Sequence, residues 1–223
     1  MSKKVMVLAI AVVSAAMLAL PALASAAPVI EPGGTSFTGT FGKSVLTATG
    51  EPEIICLGEN HVTGSFNAGG TGGTISLDYT NCHVEVFLLG TLPCKTSGAP
   101  VNNTIALNNL PFDLIYATSA KTKPAVEVTN VSTSIECAGI STVKVTGSVI
   151  GTITAPPCGG TSGSATLLFK ATGSTQEHML VNGAGTPVDL KSQTGEGEIK
   201  TAGLNTNATI TLTGGKTAKL NCL

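Results

Sequence analysis

Between Thr142 and Thr154 the chain alternates with a period of two. Val143, Val145, Gly147, Val149, Gly151 and Ile153 share one parity, while Thr, Ser and Lys fill most of the other, with Ile150 the exception. Residues two apart on a strand point to the same side, so this segment buries one face and wets the other. The pattern recurs elsewhere. Ile75, Leu77 and Tyr79 alternate with Thr74, Ser76 and Asp78; Ala208, Ile210 and Leu212 alternate with Thr209, Thr211 and Thr213; Ala165, Leu167, Phe169 and Ala171 share a parity; Val126 and Val128 flank Glu127. No stretch of ten residues carries a helical period. The reading is an all-β chain of about fourteen short strands joined by Gly, Pro, Asn and Ser turns. Such a chain builds an antiparallel two-sheet sandwich or a closed β-barrel. Gly147 and Gly151 fall on the buried parity, where glycine marks a bulge, a bend or the close approach of another backbone.

The start of the chain is different in kind. Ser2, Lys3 and Lys4 precede an apolar run from Val5 to Leu20; Pro21 breaks it, and Ala24-Ser25-Ala26 places small residues where a signal peptidase reads. This is the layout of a cleaved secretory signal peptide over residues 1–26, with cleavage after Ala26 or, alternatively, after Ala24. The apolar run is shorter than the roughly 20 residues a membrane-spanning helix needs. No cysteine lies near the cleavage site to take a lipid, and Asn221-Cys222-Leu223 offers no hydrophobic tail for an anchor. The expectation is a secreted, extracellular protein with no membrane span, its residues 27–223 forming one all-β domain.

All six cysteines, Cys56, Cys82, Cys94, Cys137, Cys158 and Cys222, lie in that exported part. An even number outside the cell reads as three disulfides, for which fifteen pairings exist. No C-x-x-C occurs, which argues against zinc-ribbon and thioredoxin-like chemistry. A loose internal echo suggests one pairing. Cys56 is followed by Val62-Thr63-Gly64-Ser65 and later Cys82; Cys137 is followed by Val145-Thr146-Gly147-Ser148 and later Cys158. If residues 37–110 and 111–223 are loosely repeated halves, Cys56 and Cys137 occupy equivalent strands and face each other. Cys82 and Cys94, twelve apart, then bridge a local hairpin, and Cys158 joins Cys222 to pin the last strand.

Phe37-Thr38-Gly39-Thr40, a cysteine before a Thr/Gly-rich strand, Tyr79-Thr80-Asn81-Cys82, Pro93-Cys94 and Val145-Thr146-Gly147-Ser148-Val149-Ile150-Gly151 together resemble a group of exported proteins typical of actinobacteria. The resemblance covers most of the exported chain. It implies export and an all-β fold, and no activity. Cys158 and Cys222 are less typical of that group, which fits their pairing with each other.

Composition narrows the function. Once Lys3 and Lys4 leave with the signal, 10 Lys face 13 acidic residues, and the chain has no arginine and no tryptophan. Arginine is the preferred planar donor for phosphates and base edges, so its absence beside an acidic balance argues against nucleic-acid binding.

Motifs that suggest catalysis fail on context. Gly42-Lys43-Ser44 and Gly215-Lys216-Thr217 end like phosphate loops, but Phe37 and Ile210 stand where the leading glycine belongs, and no helix follows. Ser141-Thr142-Val143-Lys144 fits S-x-x-K, but it alternates as a strand, where positions three apart face opposite ways. His61, His83 and His178 have no nucleophile elbow to serve. His83 and Glu85 share a parity and read as a solvent-facing pair beside a disulfide. Asp78 and Glu85 fall in adjacent predicted strands, which could bring together the two carboxyls a glycosidase needs, but only Tyr79 and Tyr116 could stack on a sugar besides phenylalanine. Thr152, Thr154, Thr209, Thr211 and Thr213 form rows that suit a wet strand face, although ordered threonines also bind regular surfaces. Asn130 and Asn207 begin glycosylation triplets.

The sequence therefore gives no catalytic, cofactor or metal residue. It leaves two functional classes. One is a non-catalytic structural or surface-interaction protein, such as a cell-surface component. The other is an extracellular carrier with a small hydrophobic ligand inside a barrel, given room by small inward residues such as Gly147, Gly151 and Ala171.

Overall fold

The computed structural model describes residues 27–99, 101–139 and 142–222. The expected signal segment, residues 1–26, lies outside them. Of the two expected architectures the closed barrel is the one found. Eight long antiparallel staves follow one another around a ring. They are β1 (Ser36–Phe41 with Ser44–Ala48), β2 (Ile54–Cys56 with Asn60–Phe66), β3 (Gly72–Tyr79 with Cys82–Val86) and β4 (Gly90–Thr96 with Ile105–Tyr116). The second four are β5 (Pro124–Cys137), β6 (Val143–Ala155), β7 (Ser164–Phe169 with Leu190–Thr194) and β8 (Lys200–Leu212). Each stave pairs with the next in sequence. The last closes on the first: Leu212 opposes Phe37 at one end of the seam, and Ala202 opposes Ala48 at the other. Closure leaves the ring without an exposed sheet edge.

Polarity sorts the two faces. Phe37, Phe41, Val62, Ile75, Leu110, Val128, Val149 and Ile210 are buried inside, within one continuous core. Thr38, Thr40, Thr63, Thr209 and Thr211 are exposed outside. A lipid-embedded barrel has the opposite arrangement, with an apolar band facing outward. Among the described residues no helix is long and apolar enough to cross a membrane.

Five of the staves are interrupted, and the first three breaks fall at one level. Asn60 holds that level together. Its Nδ2 donates to the Gly42 carbonyl in the break of β1 (2.9 Å), and its Oδ1 accepts from the Thr80 N–H in the break of β3 (2.8 Å). The Asn60 side chain is fully buried, so these bonds supply partners that water cannot. The largest interruption, residues 170–189 within β7, passes outside the wall. There Val181 and Val188 pack against Ile115, Ala117, Ala125 and Ile150. This explains Ile150, the apolar residue on the wet parity: it faces outward but is covered.

One rim is capped. Val29–Glu31, Ala218–Asn221 and Thr161–Ser162 form a small antiparallel sheet. Ile30 and Leu220 from this sheet border the same 40 Å³ void as Phe37, Phe66 and Phe112. Phe66 makes an edge contact with Phe112, ring centroids 5.6 Å apart. Cys158–Cys222 ties this cap to the connection after β6.

The other two bridges correct the expected connectivity. Cys56 joins Cys82 and Cys94 joins Cys137, in place of Cys56–Cys137 and Cys82–Cys94. The reason is register. Cys56 directly opposes Cys82 across β2 and β3, and Cys94 opposes Cys137 across β4 and β5. His83 opposes Pro93, so the same register carried one step places Cys82 level with Cys94. Four cysteines thus stand in one row on four consecutive staves. Bridging Cys82 to Cys94 would leave Cys56 and Cys137 three strand spacings apart, roughly 14 Å along the wall, beyond the roughly 7 Å Cα separation a disulfide tolerates. Only the observed pairing uses every cysteine in the row. Among the described residues none is free.

The echo behind the expected pairing sits differently in space. Val62–Ser65 continues the stave that carries Cys56, whereas Val145–Ser148 lies on β6, the stave after Cys137. The 110/111 boundary between the halves falls within Ile105–Tyr116.

Candidate functional site

The barrel interior holds a cavity of about 90 Å³. Phe41, Ile75, Tyr79, Val149, Phe169 and Ile210 are among its walls, and Ser44, Thr133 and Thr206 are its few polar residues. Ser44 and Thr206 satisfy each other through their hydroxyls at 2.8 Å. The Tyr79 ring packs on Phe41 with centroids 5.0 Å apart, and burial drives its phenol pKa far upward, holding it neutral. The space is not made by the glycines that the sequence pointed to. At Gly151 the Phe169 ring stands 2.6 Å from where a Cβ would sit, Gly147 adopts φ 115° against the Asp189 carbonyl, and Ala171 belongs to the outer excursion beside Gly203. These small residues admit neighbours, not a guest.

The other sequence candidates are scattered. His61 is exposed on the outer wall. His83 departs from its expected solvent-facing position: it is buried, with Nδ1 3.2 Å from the Asn81 carbonyl oxygen, while Glu85 is exposed. His178 lies 3.7 Å from Glu177, which also pairs with Lys170; burial outweighs that neighbour and lowers the His178 pKa. Asp78 and Glu85 fall in consecutive strand segments, Gly72–Tyr79 and Cys82–Val86, but these run end to end and not side by side. They lie on one stave, β3, seven residues apart, so they do not flank a common groove. Ser44 of the Gly42-Lys43-Ser44 triplet points inward to Thr206, and Lys216 follows a short 3-10 turn, Thr213–Gly215. Ser141 lies outside the described residues, and Lys144 is in a strand. Among the described residues no three His, Cys, Asp or Glu side chains gather to hold a metal.

The threonines do form rows. Ser164, Thr211, Thr38, Thr63 and Ser76 are successive cross-strand neighbours over five staves. Five of eight staves wrap more than half of a closed ring, however, so the row is curved and matches no flat lattice.

Sequence reasoning missed one carboxylate pair. Glu127 on β5 directly opposes Asp113 on β4. Glu127 is buried while Asp113 is exposed. Burial raises the Glu127 pKa, and the Asp113 charge raises it further. The signal was an acidic residue between Val126 and Val128 in an otherwise apolar run, but nothing in one segment names its cross-strand neighbour.

It also missed a finger at the uncapped rim. Val84 pairs with Ile54 on β2, and Pro93 accepts a hydrogen bond from the Ala138 N–H at 2.9 Å. Beyond those contacts the hairpin runs on with Glu85 opposing Thr91 and Val86 opposing Gly90. At its tip Phe87, Leu88 and Leu89 are 90%, 88% and 64% exposed. The Leu89 N–H donates to the Val86 carbonyl at 3.1 Å, closing a turn with Leu88 at φ 71°. That turn position calls for a left-handed backbone, which glycine or asparagine adopts with least strain. The chain follows the rule elsewhere: among the described residues, five of the seven non-glycine residues at positive φ are asparagines, Asn81, Asn103, Asn109, Asn130 and Asn182. Leucine at this turn carries both backbone strain and the exposure of an apolar side chain, and glycine would relieve both.

No family model, curated protein or solved structure matches this chain.

Proposed function

We propose that this is an exported, non-catalytic barrel that acts through its surface, with the Phe87-Leu88-Leu89 finger as its point of contact. The observation that carries the reading is the tip itself: three consecutive large apolar side chains in solvent, the middle one in a strained turn. Scattered exposed apolar residues need no explanation, but a contiguous exposed cluster marks an interaction site. Export is supported by the basic and apolar start with its small-residue cleavage site and by the three disulfides, which belong to oxidising compartments. The test is made in the producing cells. Wild-type protein and Leu88→Gly are compared for the fraction retained on the cell surface against the fraction in the medium, with N-terminal sequencing expected to begin at Ala27. Retention that falls with Leu88→Gly supports the reading; equal retention rejects it.

The cavity favours a second reading, a carrier for a small hydrophobic ligand. Its apolar wall suits such a guest, but its size sets a limit. Ligand pockets typically span roughly 300–1,000 Å³, and a cavity of about 150 Å³ holds benzene or xenon. A space of 90 Å³ admits a guest of only a few heavy atoms unless the wall moves. Native mass spectrometry of the exported protein decides: a discrete added mass lost on gentle activation supports the carrier, and a bare mass removes it.

A further inference from the structure

We infer that the partner of the finger is a lipid bilayer with neutral headgroups, into which Phe87, Leu88 and Leu89 insert; this rests on the surface reading above. Three features favour lipid over a protein. The first is size. A stable protein interface takes roughly 800 Å² from each partner, and a three-residue tip supplies well under that. A bilayer needs no matching shape, only an apolar group that reaches its acyl boundary.

The second is reach. The finger continues about four residues past the last pairing of Val84 with Ile54, or roughly 13 Å at the rise of a strand. Interfacial segments sink about 5–10 Å into the headgroup and acyl boundary, so the tip can enter while the barrel stays in water. The backbone suits that depth. The Val86–Gly90 pairing and the Leu89-to-Val86 bond satisfy polar groups behind the tip, as an apolar medium requires.

The third is charge. From Glu85 to Thr91 the finger carries one charged side chain, the exposed Glu85, and no lysine. Attraction to anionic lipid requires basic residues beside the apolar group. The finger has the opposite sign, so neutral headgroups are selected and anionic ones are opposed.

The test is co-sedimentation of the exported protein with phosphatidylcholine vesicles, and with vesicles containing about one third phosphatidylglycerol. Wild type is expected to bind the neutral vesicles and to bind the anionic ones less. Leu88→Gly and Leu88→Asn are expected to lower partitioning about tenfold, the factor that loss of one buried leucine implies. Both residues suit a left-handed turn, so the thermal midpoint is expected to hold or rise, which separates lost insertion from lost folding. Absence of binding to neutral vesicles, preference for anionic ones, or variants that bind as wild type would each overturn the inference. Cell-surface retention that depends on Leu88 without vesicle binding would leave the surface reading intact and assign the finger to a protein. Sedimentation velocity showing concentration-dependent self-association, abolished by Leu88→Gly, would make that protein a second copy of this chain.

Discussion

The hydroxyls of Ser44 and Thr206 meet at 2.8 Å although 162 residues separate them in the chain. They are buried on β1 and β8, at the seam where the last stave closes on the first. Removing the Ser44 hydroxyl leaves that of Thr206 without its partner in an apolar wall, where an unsatisfied group costs about 1–3 kcal/mol, whereas removing the Thr206 hydroxyl leaves Ser44 a 3.4 Å bond to the Gly42 carbonyl. Ser44→Ala is expected to destabilise by that amount in urea unfolding, and Thr206→Val by less. The double variant is expected to lose less than the sum of the two. Strict additivity in the double-mutant cycle would show that the bond does not couple the seam.

Asn60 is the stronger case, because one side chain serves two breaks. Asn60→Leu removes both the bond to Gly42 and the bond from Thr80; it leaves the Thr80 N–H unpaired and the Gly42 carbonyl with only the 3.4 Å bond from the Ser44 hydroxyl. The expected loss is about 2–4 kcal/mol, roughly 1–3 for the orphaned Thr80 donor and about 1 for the weakened bonding of Gly42. Hydrogen exchange at Thr80 is the local readout, and an unchanged exchange rate would show that water replaces the side chain.

The row of four cysteines makes a prediction about exchange. In Cys56→Ser the freed Cys82 thiol stands level with Cys94. Non-reducing peptide mapping of that variant is expected to find Cys82–Cys94 alongside Cys94–Cys137. Cys94–Cys137 alone would mean that the register between β3 and β4 does not bring the two together. In wild type, mapping is expected to return Cys56–Cys82, Cys94–Cys137 and Cys158–Cys222.

Glu127 gives a pH dependence of defined sign. Its folded pKa lies above the ordinary 4.5, through burial first and the Asp113 charge second. Between those two values the native state holds more proton than the unfolded one, so stability falls as pH rises through the window. Glu127→Gln lacks the charge. It is expected to be the more stable protein at pH 7, with the gain shrinking as pH falls towards 4.5. Thermal midpoints of both proteins across pH 3–8 check this; a constant difference would place the effect outside titration.

Much of the wall was legible in the sequence. The parity of Ile75, Leu77 and Tyr79, or of Ala208, Ile210 and Leu212, follows from the two-residue repeat of a strand, which any register preserves. That local rule settled an all-β chain with one wet and one apolar face, and the cysteine count gave the number of bridges. Ile150 broke the pattern, because its cover comes from Val181 and Val188 thirty and more residues away.

What only the tertiary structure decided is everything that depends on which residues stand level across strands. Closure of β8 on β1 chose the barrel over the sandwich. Register placed four cysteines in a row and thereby fixed their pairing, opposed Asp113 to Glu127, and set Asp78 and Glu85 far apart on one stave. The interior void and the finger arise in the same way: side chains from separate staves share the cavity, and the tip is exposed because no neighbouring stave runs on beside it. Period two is a property of a single segment, whereas level and neighbour belong to pairs of segments.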